Sequence, residues 1–252
     1  MSRDKPFILS AHQPAYLPWL GLFHKIALAD LFCVFDIVQY QRKEFNNRNK
    51  IKTSAGPIWL SVPVKSSGRL DSIITDIEVI NDGWHKKHIK SIELNYKKTP
   101  YFDNYFHGLK KILDTHYQYL VDLNFDILIY VLDLLDIDTK IVKASDFSFV
   151  GGKSELVLDM CIQLNADIYI FGDHGKNYAD VKSFISAGVV PYFQSYNHPV
   201  YNQLKDKFMP YMNVFDLLFN EGPNSNNILM VDNISKKDIL VLNNDLQSVS
   251  DQ

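Results

Sequence analysis

The first 36 residues constrain the fold more than any other stretch of this chain. Phe7 to Ala11 is an apolar run of strand length that stops at His12-Gln13-Pro14. Pro14 and Pro18 then impose an irregular loop, because each proline disfavours the helical region at the residue before it. From Trp19 to Ala29, Leu20, Phe23, Ile26 and Ala27 recur at the spacing of one helical face. Leu31 to Phe35 is a second short apolar run, closed by Asp36. Strand, helix and strand in so short a span form the pattern of a parallel βαβ unit.

The same alternation continues. Pro57–Val64 and Ile73–Ile80 read as strands, and Trp84–Tyr96, Pro100–Tyr117 and Tyr119–Ile137 as helices. A short strand at Thr139–Val142 follows, then a helix over Lys153–Leu164 and strands over Ala166–Phe171 and Val189–Phe193. Phe208–Phe219 reads as a helix after Pro210, and the Asn-, Ser- and Lys-rich stretch from Asn220 as a loosely packed tail. The expected fold is α/β, a Rossmann-like and mostly parallel sheet with an inserted helical region. The expected division is 1–83 and 138–222 for the two parts of the α/β core, 84–137 for the helical insertion and 223–252 for the tail.

Several function classes drop out. The net charge of −3 argues against a protein that coats DNA. The N-terminus lacks a long apolar segment, so no secretory leader is expected. The most membrane-like stretch, 119–137, carries Asp122, Asp126, Asp133 and Asp136 in a stripe about 80° wide, which reads as the solvated face of an amphipathic helix. Cys33 and Cys161 read as buried thiols of a reducing, cytoplasmic compartment. His85 and His88 lack the Glu of a His-Glu-x-x-His zinc site, and no metal site is expected. Gly151-Gly152-Lys153-Ser154 fails the phosphate-loop pattern and reads as a helix start.

In open α/β sheets, ligands bind beyond the carboxyl ends of the strands. Four such ends are polar here: His12-Gln13-Pro14, Asp36 to Gln39, Gly172 to His174, and Gln194 to Pro199. His12 is placed to act as a general base or to bind phosphate beside a helix N-terminus, unless local backbone satisfies its ring. Residues 42–52 hold five cations, Arg42, Lys43, Arg48, Lys50 and Lys52, with Asn46, Asn47 and Asn49 among them and a single acid, Glu44. Guanidinium forks and amides suit phosphate and sugar oxygens, so this segment is expected to bind a phosphorylated ligand. The turn Gly172-Asp173-His174-Gly175, with Tyr178 and Asp180, allows close backbone approach to a ligand. Tyr196, His198, Tyr201 and Gln203 form a polar-aromatic run that either lines a pocket or ties down a loop.

At these residues the chain resembles the WbqC-like family, often encoded with bacterial surface-polysaccharide (O-antigen, lipopolysaccharide) genes. The matching motifs are His12-Gln-Pro-Ala-Tyr16-Leu-Pro-Trp19 with Gly21 and Lys25, Asp36 with Gln39, Phe45-Asn-Asn-Arg-Asn-Lys-Ile51 and Trp59-Leu-Ser-Val-Pro-Val64. Trp84 with Lys87-His88, Tyr178 with Asp180, His198-Pro-Val-Tyr-Asn-Gln203 and Asp216-Leu-Leu-Phe-Asn220 complete them, so the resemblance runs from about residue 7 to 230. It implies a transferase that attaches an acyl or aminoacyl group, such as glycyl, to the amine of a nucleotide-linked amino sugar. The opening is also similar to HUP-type nucleotide-binding domains, although Ala15 stands where their second histidine is found.

On that reading His12 or His198 takes the amine proton, and Asp36 or Asp173 holds the imidazole or the amine. Arg42, Arg48 and Lys52 bind the diphosphate, and Asn47 and Asn49 bind sugar or carbonyl oxygens. Gln13, Tyr16, Gln39, Tyr178, Asp180, Tyr196 and Tyr201 complete the expected substrate contacts. The implied partners are the nucleotide-linked amino sugar and an activated donor, which is aminoacyl-tRNA, a carrier protein or acyl-CoA. The alternatives are an adenylate-forming or nucleotidyl-transferring enzyme using ATP and Mg²⁺, and a non-catalytic nucleotide-sugar binder. No DNA partner and no membrane insertion are expected, and the sequence leaves the oligomeric state open.

Overall fold

The computed structural model describes residues 5–65, 72–204 and 207–242. The ends of the chain, including 243–252 of the expected tail, lie outside them. The centre is a five-stranded parallel sheet built from β1 (Ile8–His12), β2 (Leu31–Val34), β5 (Lys140–Lys143), β6 (Ile168–Phe171) and β7 (Val190–Phe193). Its order is β5-β2-β1-β6-β7. Counting only these strands, that is 3-2-1-4-5, the Rossmann-like order whose direction reverses between the first strand and the fourth. The reversal lies between β1 and β6, beside His12.

The central strands are buried on both faces, which explains their uninterrupted apolar sequence. Successive side chains alternate between faces. Leu9, Cys33, Tyr169 and Phe171 point to one side, against α5 (Ser154–Gln163) and α6 (Val181–Ser186), through Val157, Met160, Cys161 and Phe184. Ile8, Ile168 and Ile170 point to the other side, where Leu28 and Ile239 cover them. Phe32 and Val34 share that other side with α1 (Leu20–Ala27) and with α4 (Leu120–Leu134), the helix that returns the chain to β5. Both cysteines are buried free thiols.

Between β2 and α4 the chain builds a lobe from the antiparallel hairpin β3 (Arg48–Thr53) and β4 (Gly56–Ser61), followed by α2 (Trp84–Tyr96) and α3 (Phe102–Asp114). The lobe joins α1, α4 and α7 (Val214–Glu221) in one continuous core. β3 is a strand where the sequence pattern indicates none. Asn49, Ile51 and Lys52 are all buried in it, so burial falls largely on polar residues and follows no hydrophobic alternation. The hairpin closes through Gly56 at φ +118, a backbone region that strongly favours glycine.

Residues 73–80 are not a strand. Ile74 and Ile77 are buried three apart around a 3-10 turn (Ile74–Asp76), and only isolated bridges join Val64 to Val79 and Glu78 to Tyr119. The helix expected from Phe208 begins at Val214, where the Asn213 side chain accepts from the Phe215 N–H at 3.0 Å. The described part of the stretch after Asn220 is ordered and packed. It forms α8 (Ser225–Met230), buries Leu229, and later buries Ile239 against the sheet. Among the described residues, no helix is long and apolar enough to cross a membrane.

Three asparagines fasten the hairpin. Asn46 Nδ2 donates to the Pro14 carbonyl at 2.8 Å, and Asn49 Nδ2 donates to the Leu17 carbonyl at 2.5 Å. Asn47 Nδ2 donates to the Val62 carbonyl at 2.8 Å. Leu17 is buried at φ +45, a left-handed conformation costly for a leucine, and the Asn49 bond helps hold it there. Asn49→Ala should therefore destabilise the fold by about 1–3 kcal/mol in denaturant titration. A midpoint equal to wild type would show that the bond does not hold the loop.

Candidate functional site

The candidate crevice lies beyond the carboxyl ends of β1 and β2 and is lined by the loop after β1, the start of α1, Phe32 and Val34 of β2, and α4. His12, the last residue of β1, is half-buried with its ring edge-on to Trp19, centroids 5.2 Å apart. Its Nδ1 lies 2.7 Å from the Gln13 carbonyl. A carbonyl only accepts, so Nδ1 carries the proton and Nε2 presents a lone pair. Burial and the nearby Lys25 charge push the ring down to about 3, so it is a neutral imidazole at physiological pH.

Lys25 is the residue that the strand-end reasoning missed. It sits on α1 with 3% exposure, and its Nζ donates to the Ala11 carbonyl at 2.9 Å. Among the described residues, no carboxylate pairs with it. Burial lowers its pKa to about 7. A buried cation without an anion is costly, and such groups cluster at functional sites. A lone Lys inside the otherwise buried run Leu20-Gly-Leu-Phe-His-Lys-Ile was the available signal.

An aromatic ledge leads outward from this point. Trp19 contacts Phe45 at 5.2 Å between centroids, and Phe45 contacts Trp59 at 5.9 Å. Phe45 and Trp59 are exposed. The Arg48 guanidinium lies 4.2 Å from the Trp59 ring centre and the Lys50 ammonium 4.9 Å. Arg48 also donates to the Lys43 carbonyl, while its buried Nε has no partner. The cationic segment thus presents Arg48 and Lys50 on a stacking surface continuous with His12. The aromatic members of this ledge were not among the expected site residues. Asn46 bridges the two halves, since its Nδ2 also reaches Gln13 Oε1 at 3.4 Å.

Other expected site residues have different partners. Asp36 accepts from the Ser145 N–H at 2.9 Å and the Ser145 hydroxyl at 2.7 Å, so it fastens the turn after β5 and makes no hydrogen bond to His12. Asp173 is exposed and paired with Lys176 at 2.8 Å. Asp180 caps α6 by accepting from the Ser183 N–H at 3.4 Å and also accepts from the Ser183 hydroxyl at 2.6 Å, and Tyr178 is half-exposed with its ring against Phe171. Of the glycines beside β6, Gly172 faces open space, whereas a Cβ on Gly175 would lie 2.6 Å from Phe171. Gly175 therefore serves packing within the chain. Gln39 and Arg42 are exposed on the loop before β3, Gln39 in an isolated bridge to Ile73.

A further group forms a buried polar network. Asp216 is fully buried and accepts from Tyr96 OH at 2.8 Å, Tyr201 OH at 2.8 Å and Gln203 Nε2 at 2.6 Å. Lys52 Nζ donates to Gln203 Oε1 at 2.9 Å and to the Lys207 carbonyl at 2.7 Å. His198 has both ring nitrogens engaged by backbone: Nδ1 by the Pro199 carbonyl at 2.9 Å and Nε2 by the Tyr211 N–H at 3.1 Å. Of the two expected bases, only His12 retains a lone pair for a ligand. Tyr16 is fully buried with its hydroxyl 2.8 Å from His88 Nδ1, and Tyr196 donates to the Leu229 carbonyl at 3.2 Å.

Lys25 gives a pH-dependent stability with a definite sign. An unfolded lysine holds its proton to about 10.5, whereas the folded Lys25 releases it near 7. Between these values the unfolded chain binds the extra proton, so stability rises with pH across that window. Lys25→Met should remove this rise and raise the thermal midpoint most at neutral pH. A wild-type-to-variant difference that stays constant across the window would contradict the assignment.

The comparisons with known proteins agree with this motif set. The chain is 33% identical over 212 residues to "Uncharacterized protein Rv1507c" of Mycobacterium tuberculosis, covering 83% of this chain and 92% of that one. No solved structure matches. The WbqC-like protein family matches residues 13–228, which include His12's neighbour Gln13, Lys25, the hairpin and the Asp216 network. The chain therefore belongs to the WbqC-like protein family.

Proposed function

We propose that this protein is a transferase that acylates or aminoacylates the amine of a nucleotide-linked amino sugar, working in the cytoplasm on polysaccharide precursors. The observation that carries the reading is His12: a neutral imidazole at the carboxyl end of β1 with Nδ1 fixed and Nε2 open. The aromatic ledge supports it, because Phe45 and Trp59 offer faces for a nucleobase and Arg48 and Lys50 offer charge for its phosphates.

The reaction needs a neutral amine, since a protonated one has no lone pair. The amine nitrogen attacks the carbonyl carbon of an ester or thioester donor. A C–N bond forms, the C–O or C–S bond breaks, and the amine proton passes to the departing oxygen or sulfur along the hydrogen bond to His12 Nε2, which holds it only transiently because burial keeps the imidazole weakly basic. The buried Lys25 charge favours negative charge nearby, either the oxyanion of the tetrahedral intermediate or a donor phosphate. Asn46 and Asn49 hold the loop that carries His12 and act through it.

The strand order favours a second reading, in which the same crevice binds ATP and the acyl group is first adenylated. Release of pyrophosphate only in the presence of ATP distinguishes that route from transfer out of a preactivated donor.

Two variants test the division of labour. His12→Ala should lower kcat about 10²- to 10⁴-fold while changing nucleotide-sugar affinity little. Trp59→Ala should do the reverse, weakening binding about tenfold or more through lost stacking and leaving kcat near wild type. Product formation followed by mass spectrometry with each donor class supplies the assay. Equal loss of binding and turnover in His12→Ala would make His12 a binding residue.

A further inference from the structure

One buried polar atom in the crevice has no partner. Asn124, on the second turn of α4, is 2% exposed. Its Nδ2 donates to the Asn46 carbonyl at 2.8 Å, and this bond fixes the amide orientation because a carbonyl cannot donate. The Oδ1 is therefore a true acceptor, and it is buried with nothing bound to it. Leaving such an atom unsatisfied costs about 1–3 kcal/mol, more than most helices would retain without a reason.

Asn124 lines a small pocket with His12 and Gln13, walled by Pro18, Val34 and Phe125. The space is no larger than a water molecule or an amino group. His12 offers only Nε2 here, since Nδ1 is committed to Gln13. The pocket thus has an acceptor-bearing side chain on β1 and another on α4, in a lining that is otherwise largely apolar.

We propose that this pocket is the seat of the acceptor's reacting group, and that Asn124 Oδ1 and His12 Nε2 together receive the two N–H bonds of a neutral primary amine. The ligand class is an uncharged amine on a compact carbon framework, which rests on the acyl-transfer reading only for the identity of the rest of the molecule. Two acceptors alone would also welcome an ammonium ion. Lys25 opposes that, because a buried positive charge close enough to depress His12 also disfavours a second cation beside it. The arrangement therefore selects the protonation state that can attack a carbonyl. A water molecule fits the same space, and displacing it by an amine that reproduces its hydrogen bonds costs little.

The test uses methoxyamine, a small amine that is uncharged at neutral pH, with dimethyl ether as a donor-free molecule of similar size. In the wild-type protein, nitrogen NMR should show methoxyamine shifting the His12 Nε2 and Asn124 amide signals together, and dimethyl ether shifting neither. Asn124→Leu should weaken methoxyamine binding at least tenfold and leave the His12 tautomer unchanged. The proposal is overturned if methoxyamine moves neither signal, if dimethyl ether moves both, or if Asn124→Leu binds methoxyamine as wild type does. If that variant does not fold, the two wild-type titrations decide the matter. A protein that binds methoxyamine at this site yet acylates no amino sugar leaves the pocket standing and removes the acyl-transfer reading. One that acylates amino sugars without these shifts does the opposite.

Discussion

The site depends first on how the β3–β4 hairpin is tied to the loop after β1. Asn46 and Asn49 reach the Pro14 and Leu17 carbonyls, which a loop broken by two prolines leaves without regular partners. Each bond contributes only about 1 kcal/mol net, but the cost of leaving either buried group unpaired is larger. These bonds set Trp19 against Phe45 and so carry the cationic ledge to the mouth of the crevice. Asn124 extends the same logic, joining α4 to the Asn46 carbonyl. Sheet, hairpin and crossover helix thus meet at one asparagine.

Electrostatics then give the crevice its character. The protein holds a buried lysine, without a counter-ion among the described residues, next to a histidine kept neutral, an arrangement that lowers stability. By contrast Asp216, equally buried, has Tyr96, Tyr201 and Gln203 on its oxygens and leaves no donor or acceptor waiting. The first cluster leaves His12 Nε2 and Asn124 Oδ1 without a hydrogen-bond partner among the described residues. The second is complete as it stands, and its work is to close α7 onto the hairpin through Lys52.

That contrast also shows what sequence could reveal. β1, β2, β6 and β7 are legible as apolar runs because both faces of a parallel sheet are covered, and α2 runs over the residues its periodicity indicates. β3 is hidden because Asn49 and Lys52 are buried beside Ile51, so burial there carries no hydrophobic alternation. His12 is recognisable from its place after a strand. His198, Tyr201 and Lys52 carry the same residue types, yet the chain itself satisfies them: His198 through the Pro199 carbonyl and the Tyr211 N–H, Tyr201 through Asp216, and Lys52 through Gln203 and the Lys207 carbonyl. Sequence names donors and acceptors but not whether the chain or a ligand satisfies them. Lys25 and Asn124 escaped for the converse reason: each sits in a helix whose neighbours are apolar, where only three-dimensional burial shows that an anion or a donor is missing.

The central claim is that His12 stands in the crevice as a neutral imidazole protonated on Nδ1, its Nε2 open to a ligand. A pH titration of its ring nitrogens by NMR tests this most directly. The account predicts the Nδ1–H tautomer throughout the neutral range, with a midpoint depressed to about 3. A midpoint near the ordinary 6.5, or a proton on Nε2, would contradict it.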